Sequence, residues 1–290
     1  MTATAGVVGW PVSHSLSPVL HRYWLKEYEI DGIFVDPIPV EPGKLKEAVE
    51  ALRERKFRGI NVTVPLKEEA FKLANKPLAA ATDAGAANLL VFTKDGDIGA
   101  NNTDGAGLVD SLEKALGIPK LAGKNIVLLG AGGAARGAIL ALKGRNVAKI
   151  TVLNRDARRA EQLVAHAKSP HMNTAIEAGS LFDWNRAAED AWLVINTTSA
   201  GMKGNPPLEL DLSALPKATN VCDIVYNPLE TPLLKQAKRL GHNPIDGLGM
   251  LMHQAVPSFQ AFFYDEMGGK MPEVTKGLRD TLVKELMARG

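Results

Sequence analysis

The stretch of sequence that decides the fold is Ile126-Val-Leu-Leu-Gly-Ala-Gly-Gly-Ala-Ala-Arg136. Its apolar start predicts a buried strand at Asn125–Leu129, and the residues after the glycines predict a helix at Gly133–Lys143. The turn Gly130-Ala-Gly132 lies between them, and Ala135 stands where such motifs carry a third glycine or an alanine. Glycines let the backbone approach a pyrophosphate, and the helix N-terminus offers free N–H groups. The stretch therefore predicts a dinucleotide site, and the alternative is a tight strand–helix turn without a ligand.

Strands and helices alternate downstream of this stretch. Strands are predicted at Ala148–Leu153, Ala191–Ile195 and Val221–Val225, and helices at Ala157–Lys168 and Thr231–Leu240. A strand, a crossover helix and a second strand form a βαβ unit, which requires a parallel sheet. The predicted class is α/β, with a Rossmann-like, doubly wound dinucleotide-binding domain.

The end of the second strand of this unit indicates which dinucleotide binds. NAD sites usually carry Asp or Glu there for the ribose 2′-hydroxyl, whereas this chain has Asn154 followed by Arg155. Because a guanidinium suits a 2′-phosphate, NADP is the expected cofactor. Asp156 would repel that phosphate, which leaves NAD as the alternative. Arg158 and Arg159 fit either the cofactor or a solvated first turn of the next helix.

The first third of the chain also alternates strands and helices. A strand at Gly6–Gly9 precedes a helix at Pro18–Tyr28, with Ser17 as the expected N-cap. The other predicted elements are an extended segment at Gly32–Val40, helices at Glu41–Arg55, Pro65–Ala74 and Asp104–Leu116, a strand at Gly59–Val64, and a hairpin of Ala86–Phe92 with Asp97–Ala100.

The first domain boundary is expected near residues 104–124, which contain the turn-rich link Gly117–Lys124, and a second crossing is expected near residue 246. The chain from Leu248 onward is expected to be mostly helical. Residues 1–104 and 247–290 are predicted to form an α/β substrate-binding domain, to which the C-terminal helices return. Residues 105–246 are predicted to form the dinucleotide-binding domain, because such a domain needs only about 130 residues.

Three polar clusters lie in the expected substrate-binding domain, within residues 9–21, 61–67 and 101–105. Strand ends that face an interdomain crevice are where α/β proteins bind ligands. Ser17 and Asp104 also suit helix N-caps. Lys67 in a first helical turn opposes the helix dipole, so a purely structural role explains it poorly. The hydroxyls, amides, amine and carboxylate of these clusters suit a small polyol that carries a carboxylate.

Composition excludes several classes of protein. The chain has 290 residues and a net charge of +2 without a basic stripe, so no nucleic-acid partner is expected. No apolar run approaches roughly 18 residues, and the N-terminus lacks a basic segment, which predicts neither a membrane span nor a signal peptide. The six histidines lack metal-ligand spacing, so no metal is expected. The single cysteine, Cys222, allows no intrachain disulfide and indicates a reducing compartment, the cytoplasm.

Nine short motifs follow one another along the chain. They are Ser-x-Ser-Pro (15–18), Asn-Val-Thr-Val-Pro-x-Lys (61–67), Gly-Ala-x-Asn (85–88), Asn-Thr-Asp-Gly (102–105), Gly-Ala-Gly-Gly-Ala (130–134), Asn-Arg (154–155), Asn-Thr-Thr-Ser-x-Gly-Met (196–202), Asp-x-x-Tyr-x-Pro (223–228) and Gly-Leu-Gly-Met-Leu-x-x-Gln-Ala (247–255). In this order they resemble the shikimate dehydrogenase family, and the resemblance covers essentially the whole chain. NADP-specific members often carry threonine where this chain has Asp156.

The resemblance implies an activity and a set of site residues. The activity is reversible reduction of 3-dehydroshikimate to shikimate with NADPH, a step of aromatic amino-acid (chorismate) biosynthesis, with Lys67 and Asp104 as the catalytic pair. The substrate pocket would comprise this pair with Ser15, Ser17, Asn61, Thr63, Asn88, Tyr226 and Gln254. The cofactor would contact Gly130, Ala131, Gly132, Gly133, Ala134, Asn154, Arg155, Arg159, Thr197, Ile224, Gly247 and Met250.

Two other functions stay open on the sequence. One is a quinate/shikimate dehydrogenase that uses NAD, and the other is a catalytically silent sensor of a ring acid and a nucleotide. The intact Lys67 and Asp104 argue against the sensor, because a sensor need not keep both residues. The expected partner is the small-molecule substrate, and the expected oligomeric state is a monomer or a homodimer. Met250 also suits core packing, and His21 suits a structural or pocket-edge role.

Overall fold

The computed structural model describes residues 2–117, 121–167 and 174–289. Its backbone contacts divide the chain into two compact units, Met1–Asp104 with Met252–Glu285, and Gly105–Leu251 with Leu286–Gly290. Three sequence predictions fall partly outside the described residues: the link at 117–124 (at 118–120), the helix at 157–168 (at its last residue), and the helical C-terminus (at its last residue).

The first unit is built on a seven-stranded mixed sheet. In chain order its elements are β1 (Ala3–Gly9), α1 (Ser17–Glu27), β2 (Gly32–Phe34), β3 (Ile38–Pro39), α2 (Leu45–Glu54), β4 (Gly59–Val62), α3 (Lys67–Leu73), β5 (Lys76–Pro77), α4 (Ala79–Ala84), β6 (Leu89–Phe92) and β7 (Ile98–Asn101). The strand order is β2-β1-β4-β6-β7-β5, with β3 beside β1. The strands β1 to β4 pair in parallel, and β6 pairs antiparallel with both β4 and β7.

The predicted hairpin is confirmed by the antiparallel pair β6–β7. The predicted N-cap is wrong, because α1 begins at Ser17 itself after Leu16. The backbone N–H of Ser17 instead donates to the hydroxyl of Ser15 at 3.3 Å. The helix predicted at Glu41–Arg55 begins later, at Leu45. Pro42 and Gly43 form a turn before it, in which Gly43 has a φ of +84°.

The second unit contains a six-stranded, wholly parallel sheet. The next elements along the chain are α5 (Asp104–Leu116), β8 (Asn125–Leu129), α6 (Gly133–Lys143), β9 (Lys149–Asn154), α7 (Ala157–Ala167), β10 (Ala175–Ser180), α8 (Trp184–Ala188), β11 (Leu193–Asn196), β12 (Asn220–Asp223), α9 (Pro232–Arg239) and β13 (Asn243–Ile245). The strand order is β10-β9-β8-β11-β12-β13. The chain runs outward from β8 to β10 and then returns to β11 on the other side of β8, so the strand order switches between β8 and β11. Ligands of doubly wound sheets bind at this switch point, beyond the carboxyl ends of the strands.

The cores follow from the apolar strands. Strands β11 and β12 are buried along their whole length, as parallel strands covered on both faces are. Helices α5, α6 and α7 contribute residues such as Leu112, Ile139 and Leu163 to one core of the second unit, together with β8 and β9. The strands β10 and β13 escaped the sequence analysis, because neither carries a run of apolar residues.

Two helices end the chain, α10 (Leu248–Phe263) and α11 (Lys276–Arg289). The part of α10 from Met252 onward belongs to the first unit, where Phe259 and Phe262 are fully buried. They surround His21 of α1, whose ring stacks on Phe34 at a centroid distance of 4.1 Å. Burial of this imidazole lowers its pKa to about 3, although an interaction with the Asn61 side chain opposes the shift.

Candidate functional site

The glycine turn after β8 has the shape of a phosphate cradle. Gly130 has a φ of +109°, and a Cβ there would lie 2.7 Å from the Thr198 side chain, so a larger residue does not fit. At Gly132 and Gly133 a Cβ would meet nothing within 4 Å, which leaves open space at the start of α6. Gly132 caps this helix without a side-chain hydrogen bond, so its first N–H groups are available to an anion.

A cleft of about 470 Å³ lies beside this turn in the second unit. Seven of the predicted cofactor residues line it: Gly130, Ala131, Gly132, Asn154, Arg155, Arg159 and Thr197. The Thr197 hydroxyl donates to the Leu129 carbonyl at 2.8 Å, which joins the end of β11 to the end of β8. The cleft therefore combines open helix N–H groups with two arginine side chains, and this donor set fits a dinucleotide with an extra phosphate.

The other predicted cofactor residues lie elsewhere in the unit. Gly133 and Ala134 form the first turn of α6 but do not line the cleft wall. Ile224 and Met250 pack against the apolar core, in agreement with the packing alternative for Met250. A Cβ at Gly247 would lie 2.2 Å from the Ile224 carbonyl oxygen, so this glycine allows a close backbone approach.

The structure explains Asp156, which argued against NADP in the sequence. Its Oδ1 accepts a hydrogen bond from the backbone N–H of Arg158 at 3.1 Å, so the carboxylate caps α7. The Asn154 amide donates to the Asp156 carbonyl at 2.8 Å and holds the same turn. Asp156 does not line the cleft, whereas Arg155 and Arg159 do. The charge that faces the cleft from this turn is therefore positive.

The first unit holds a lysine–carboxylate pair. Lys67 begins α3, and its Nζ lies 2.5 Å from Oδ2 of Asp104, which begins α5. Both side chains are partly buried, with 28% and 14% exposed. The other carboxylate oxygen, Oδ1, accepts a hydrogen bond from the Asn88 amide at 2.9 Å. The pair is thus held from two sides, and neither side chain is fully buried.

Asn88 is the centre of a buried polar network. Its Oδ1 accepts from the backbone N–H of Thr103 at 2.9 Å, and its Nδ2 donates to Oε1 of Gln254 at 3.2 Å. The Thr103 hydroxyl donates to the backbone carbonyl of Gln254 at 2.8 Å, which ties α10 to the network. The structure thus brings together Lys67, Asn88, Asp104 and Gln254. Sequence reasoning missed Thr103, although it lies inside the motif at 102–105.

The remaining predicted substrate residues are placed as follows. Asn61 is buried on β4, and its Nδ2 donates to the Ser258 hydroxyl at 2.7 Å. Ser15 and Ser17 are buried before and within the first turn of α1, and Thr63 directly follows β4. Tyr226 belongs to the second unit, where burial raises the pKa of its phenol and the charge of Arg289 partly opposes the rise.

Asp223 and the neighbouring Cys222 have structural roles. Asp223, the first residue of the motif at 223–228, accepts hydrogen bonds from Thr231, Asn196 and the backbone of Val225. Burial nevertheless raises the pKa of this carboxyl. Burial also raises the pKa of the Cys222 thiol, so this cysteine is a core residue and not a nucleophile.

Between residues 2 and 289, leaving out 118–120 and 168–173, no group of three or more His, Cys, Asp or Glu side chains is arranged to hold a metal. Over the same ranges, no helix has the length and apolar character that crossing a membrane requires.

Comparison with known proteins gives the family. Residues 7–90 match the shikimate dehydrogenase substrate binding domain, and residues 112–203 match shikimate / quinate 5-dehydrogenase. Shikimate dehydrogenase (NADP(+)) of Methylobacterium radiotolerans is 45% identical over 98% of both chains. The enzyme of the same name from Dinoroseobacter shibae is 43% identical over 97% of both chains. The chain belongs to the shikimate dehydrogenase family.

Solved structures of a shikimate dehydrogenase and a quinate dehydrogenase align with the chain over nearly its whole length. Shikimate 5-dehydrogenase from Thermus thermophilus in complex with NADP(H) and shikimate aligns with a TM-score of 0.83 at 30% identity, over 98% of this chain and 99% of that one. Quinate dehydrogenase from Corynebacterium glutamicum in complex with NAD aligns with a TM-score of 0.86 at 29% identity over the same shares. The predicted family and the predicted fold class are confirmed.

Proposed function

We propose that the chain catalyses the reversible reduction of 3-dehydroshikimate to shikimate with NADPH, a step of aromatic amino-acid biosynthesis. The observation that carries this proposal is the Lys67–Asp104 pair, held by Asn88 in the first unit. The relatives at 41–45% identity carry the same activity in their names, which confirms the predicted enzyme class and cofactor.

The reaction requires proton transfer at the oxygen of the substrate's reacting carbon. Bound NADPH supplies the hydride for that carbon. Lys67 carries a proton on Nζ and is the group that donates it to the carbonyl oxygen during reduction. Asp104 holds the ammonium through Oδ2 and accepts a hydrogen bond from the reacting hydroxyl, and in the opposite direction the Lys67 amine takes the proton back. Asn88 keeps the carboxylate in place through Oδ1, so Lys67 meets the substrate in a fixed position.

The remaining polar residues bind the substrate without reacting. The Ser15 and Ser17 hydroxyls donate to the carboxylate of the ring acid, and Asn61, Thr63, Gln254 and Tyr226 contact its ring hydroxyls and carboxylate. The resemblance places these residues in the substrate pocket, and the buried Asn61 Oδ1, which has no hydrogen-bond partner among the described residues, supports a ligand contact there. We further propose residues 1–104 with 247–290 as the substrate-binding domain and 105–246 as the NADP-binding domain.

Cofactor choice follows from the end of β9. Arg155 and Arg159 face the cleft, and Asp156 is engaged in capping α7, so the 2′-phosphate of NADP meets positive charge. A quinate/shikimate dehydrogenase that uses NAD stays the second candidate, since a quinate dehydrogenase in complex with NAD shares the fold at a TM-score of 0.86.

One assay separates these candidates: absorbance of the reduced cofactor is followed with shikimate and quinate, each with NAD and NADP. Quinate carries an extra hydroxyl on the carbon that bears the carboxylate, next to the expected positions of Ser15 and Ser17. We expect shikimate to be preferred at least about tenfold in kcat/KM, roughly 1.4 kcal/mol. Equal turnover of quinate with NAD would favour the second candidate, and no turnover of a folded protein would favour the silent sensor.

Location and assembly are also proposals. The single buried Cys222 supports a reducing compartment, and we propose the cytoplasm. We propose that the chain acts as a monomer or a homodimer, with its substrate and cofactor as the only partners of the reaction. Light scattering after size exclusion, with and without NADP, measures the oligomeric state directly.

A further inference from the structure

Phe182 is the most exposed of the large apolar side chains that the structure describes. Its side chain is 100% exposed, whereas Phe34, Phe57 and Phe259 are at most 5% exposed. Burying a phenylalanine side chain stabilises a protein by about 1.5–3 kcal/mol, and an exposed one contributes nothing of this kind. The position of Phe182 is therefore not explained by the packing of its own unit.

The backbone that carries Phe182 is firmly held. The residue lies in a single 3₁₀ turn, Leu181–Asp183, directly after β10. The Ser180 hydroxyl accepts from the Phe182 N–H at 3.2 Å, and Asp183 Oδ2 accepts from the Ser180 N–H at 2.8 Å. Hydrogen bonds from the backbone and the hydroxyl of Ser180 also hold the pKa of the Asp183 carboxyl below its usual value. This reciprocal capping between Ser180 and Asp183 thus fixes the backbone position of Phe182.

This turn stands at the rim of the dinucleotide cleft. Ser180 is paired in register with Asn154, so β10 and β9 end side by side at the same edge of the sheet. Leu181, the neighbour of Phe182, lines the cleft together with Asn154, Arg155 and Arg159. The residue that carries the exposed ring is therefore the direct neighbour of a residue in the cleft wall, which also contains the two arginines.

The chemistry of this rim suits one end of the cofactor. The arginines serve the 2′-phosphate, and the purine attached to the same ribose presents a flat face that stacks on aromatic rings. An exposed phenylalanine can change its χ1 rotamer without losing packing contacts, so it can cover the base once the base is in the cleft. We propose that Phe182 stacks on the adenine of the bound dinucleotide and is a positioning residue for the cofactor. This inference rests on the proposed NADP-dependent function.

The test uses cofactor fragments and measures binding without turnover. Adenosine 2′,5′-bisphosphate carries the adenine and the 2′-phosphate, and nicotinamide mononucleotide carries neither. Titration calorimetry on the full chain is expected to show that Phe182→Ala lowers the affinity for the bisphosphate at least about fivefold. This is the lower end of the effect of one base–aromatic stack. Its affinity for nicotinamide mononucleotide is expected to stay unchanged. Met287→Ala removes another exposed apolar side chain, 71% exposed, and is expected to change neither affinity.

A second measurement reports on the ring itself. Phe182→Trp is expected to keep the affinity for the bisphosphate and to add a fluorescence signal, relative to the wild type, that the bisphosphate quenches and nicotinamide mononucleotide does not. Equal bisphosphate affinity of the wild type and Phe182→Ala would overturn the inference and leave the proposed function intact. Equal weakening of both fragments would also overturn it, since the defect would then be general. Failure of the folded wild type to bind the bisphosphate would overturn the NADP-dependent function and the inference with it.

Discussion

The buried His21 makes the stability of the protein depend on pH. Its ring is fully buried between Phe34 and Phe259, and neither ring nitrogen has a hydrogen-bond partner among the described residues. Burial lowers its pKa from 6.5 to about 3. Between these two values the unfolded chain binds a proton that the folded chain does not bind. The free energy of unfolding is therefore unaffected by this group above pH 6.5 and falls as the pH drops from 6.5 toward 3.

The size of the effect follows from the two pKa values. At pH 5, one and a half pH units below the unfolded value, the loss is about 2 kcal/mol at roughly 1.36 kcal/mol per unit. His21→Leu removes the titrating group at similar volume. It costs packing against Phe34, but this cost does not change with pH. We therefore expect the wild type to lose about 2 kcal/mol more than His21→Leu between pH 8 and pH 5.

Urea unfolding at a series of pH values measures this difference. The matched control is His166→Gln, which removes an exposed imidazole from α7 and is expected to follow the wild type at every pH. The comparison uses slopes against pH, so it holds even where His21→Leu is less stable throughout. Parallel curves for the wild type and His21→Leu would refute the reasoning, because His21 would then not be a neutral imidazole held away from water.

Three further predictions concern the lysine–carboxylate pair of the first unit and the dinucleotide cleft of the second unit. Lys67→Ala is expected to lower kcat about 10²–10⁴-fold with a much smaller change in KM. Asp104→Asn is also expected to lower kcat, and the double variant is expected to be less impaired than the product of the single losses. A near-normal kcat of Lys67→Ala with a large rise in its KM would show that Lys67 only binds the substrate. Arg155→Ala is expected to weaken NADP binding about 10–150-fold and NAD binding very little, because a charge-assisted hydrogen bond contributes about 1.5–3 kcal/mol. Equal increases in KM for both cofactors would contradict this role. Gly130→Ala is expected to lower the free energy of unfolding by about 1–3 kcal/mol because of its positive φ. Gly132→Ala, where the Cβ meets open space at the cap of α6, is expected to lower the free energy of unfolding by less than about 1 kcal/mol and to weaken NADP binding. Equal thermal unfolding of the two variants would refute the distinction.

Local sequence signals determined the doubly wound sheet and its glycine turn. The segments Ile126–Leu129 of β8 and Leu193–Ile195 of β11 are continuous apolar runs, since a parallel strand covered by helices on both faces is apolar along most of its length. The glycine turn could be predicted for the same reason, because the required backbone conformation depends on residues next to one another in the chain. The helix start at Ser17 was misplaced by one residue, since proline and serine allow more than one register.

Contacts between distant residues were decided only by the tertiary structure. Asn88 meets Gln254 across 166 positions of the chain, and Thr103 entered the site through the same contact. Asp156 carries the same carboxylate whether it repels a phosphate or caps a helix, and only the direction of its side chain separates the two. The exposure of Phe182 likewise depends on which neighbours the fold places beside it. Periodicity and turn chemistry record short-range constraints, whereas the direction and burial of a polar or aromatic side chain depend on segments that only folding brings together.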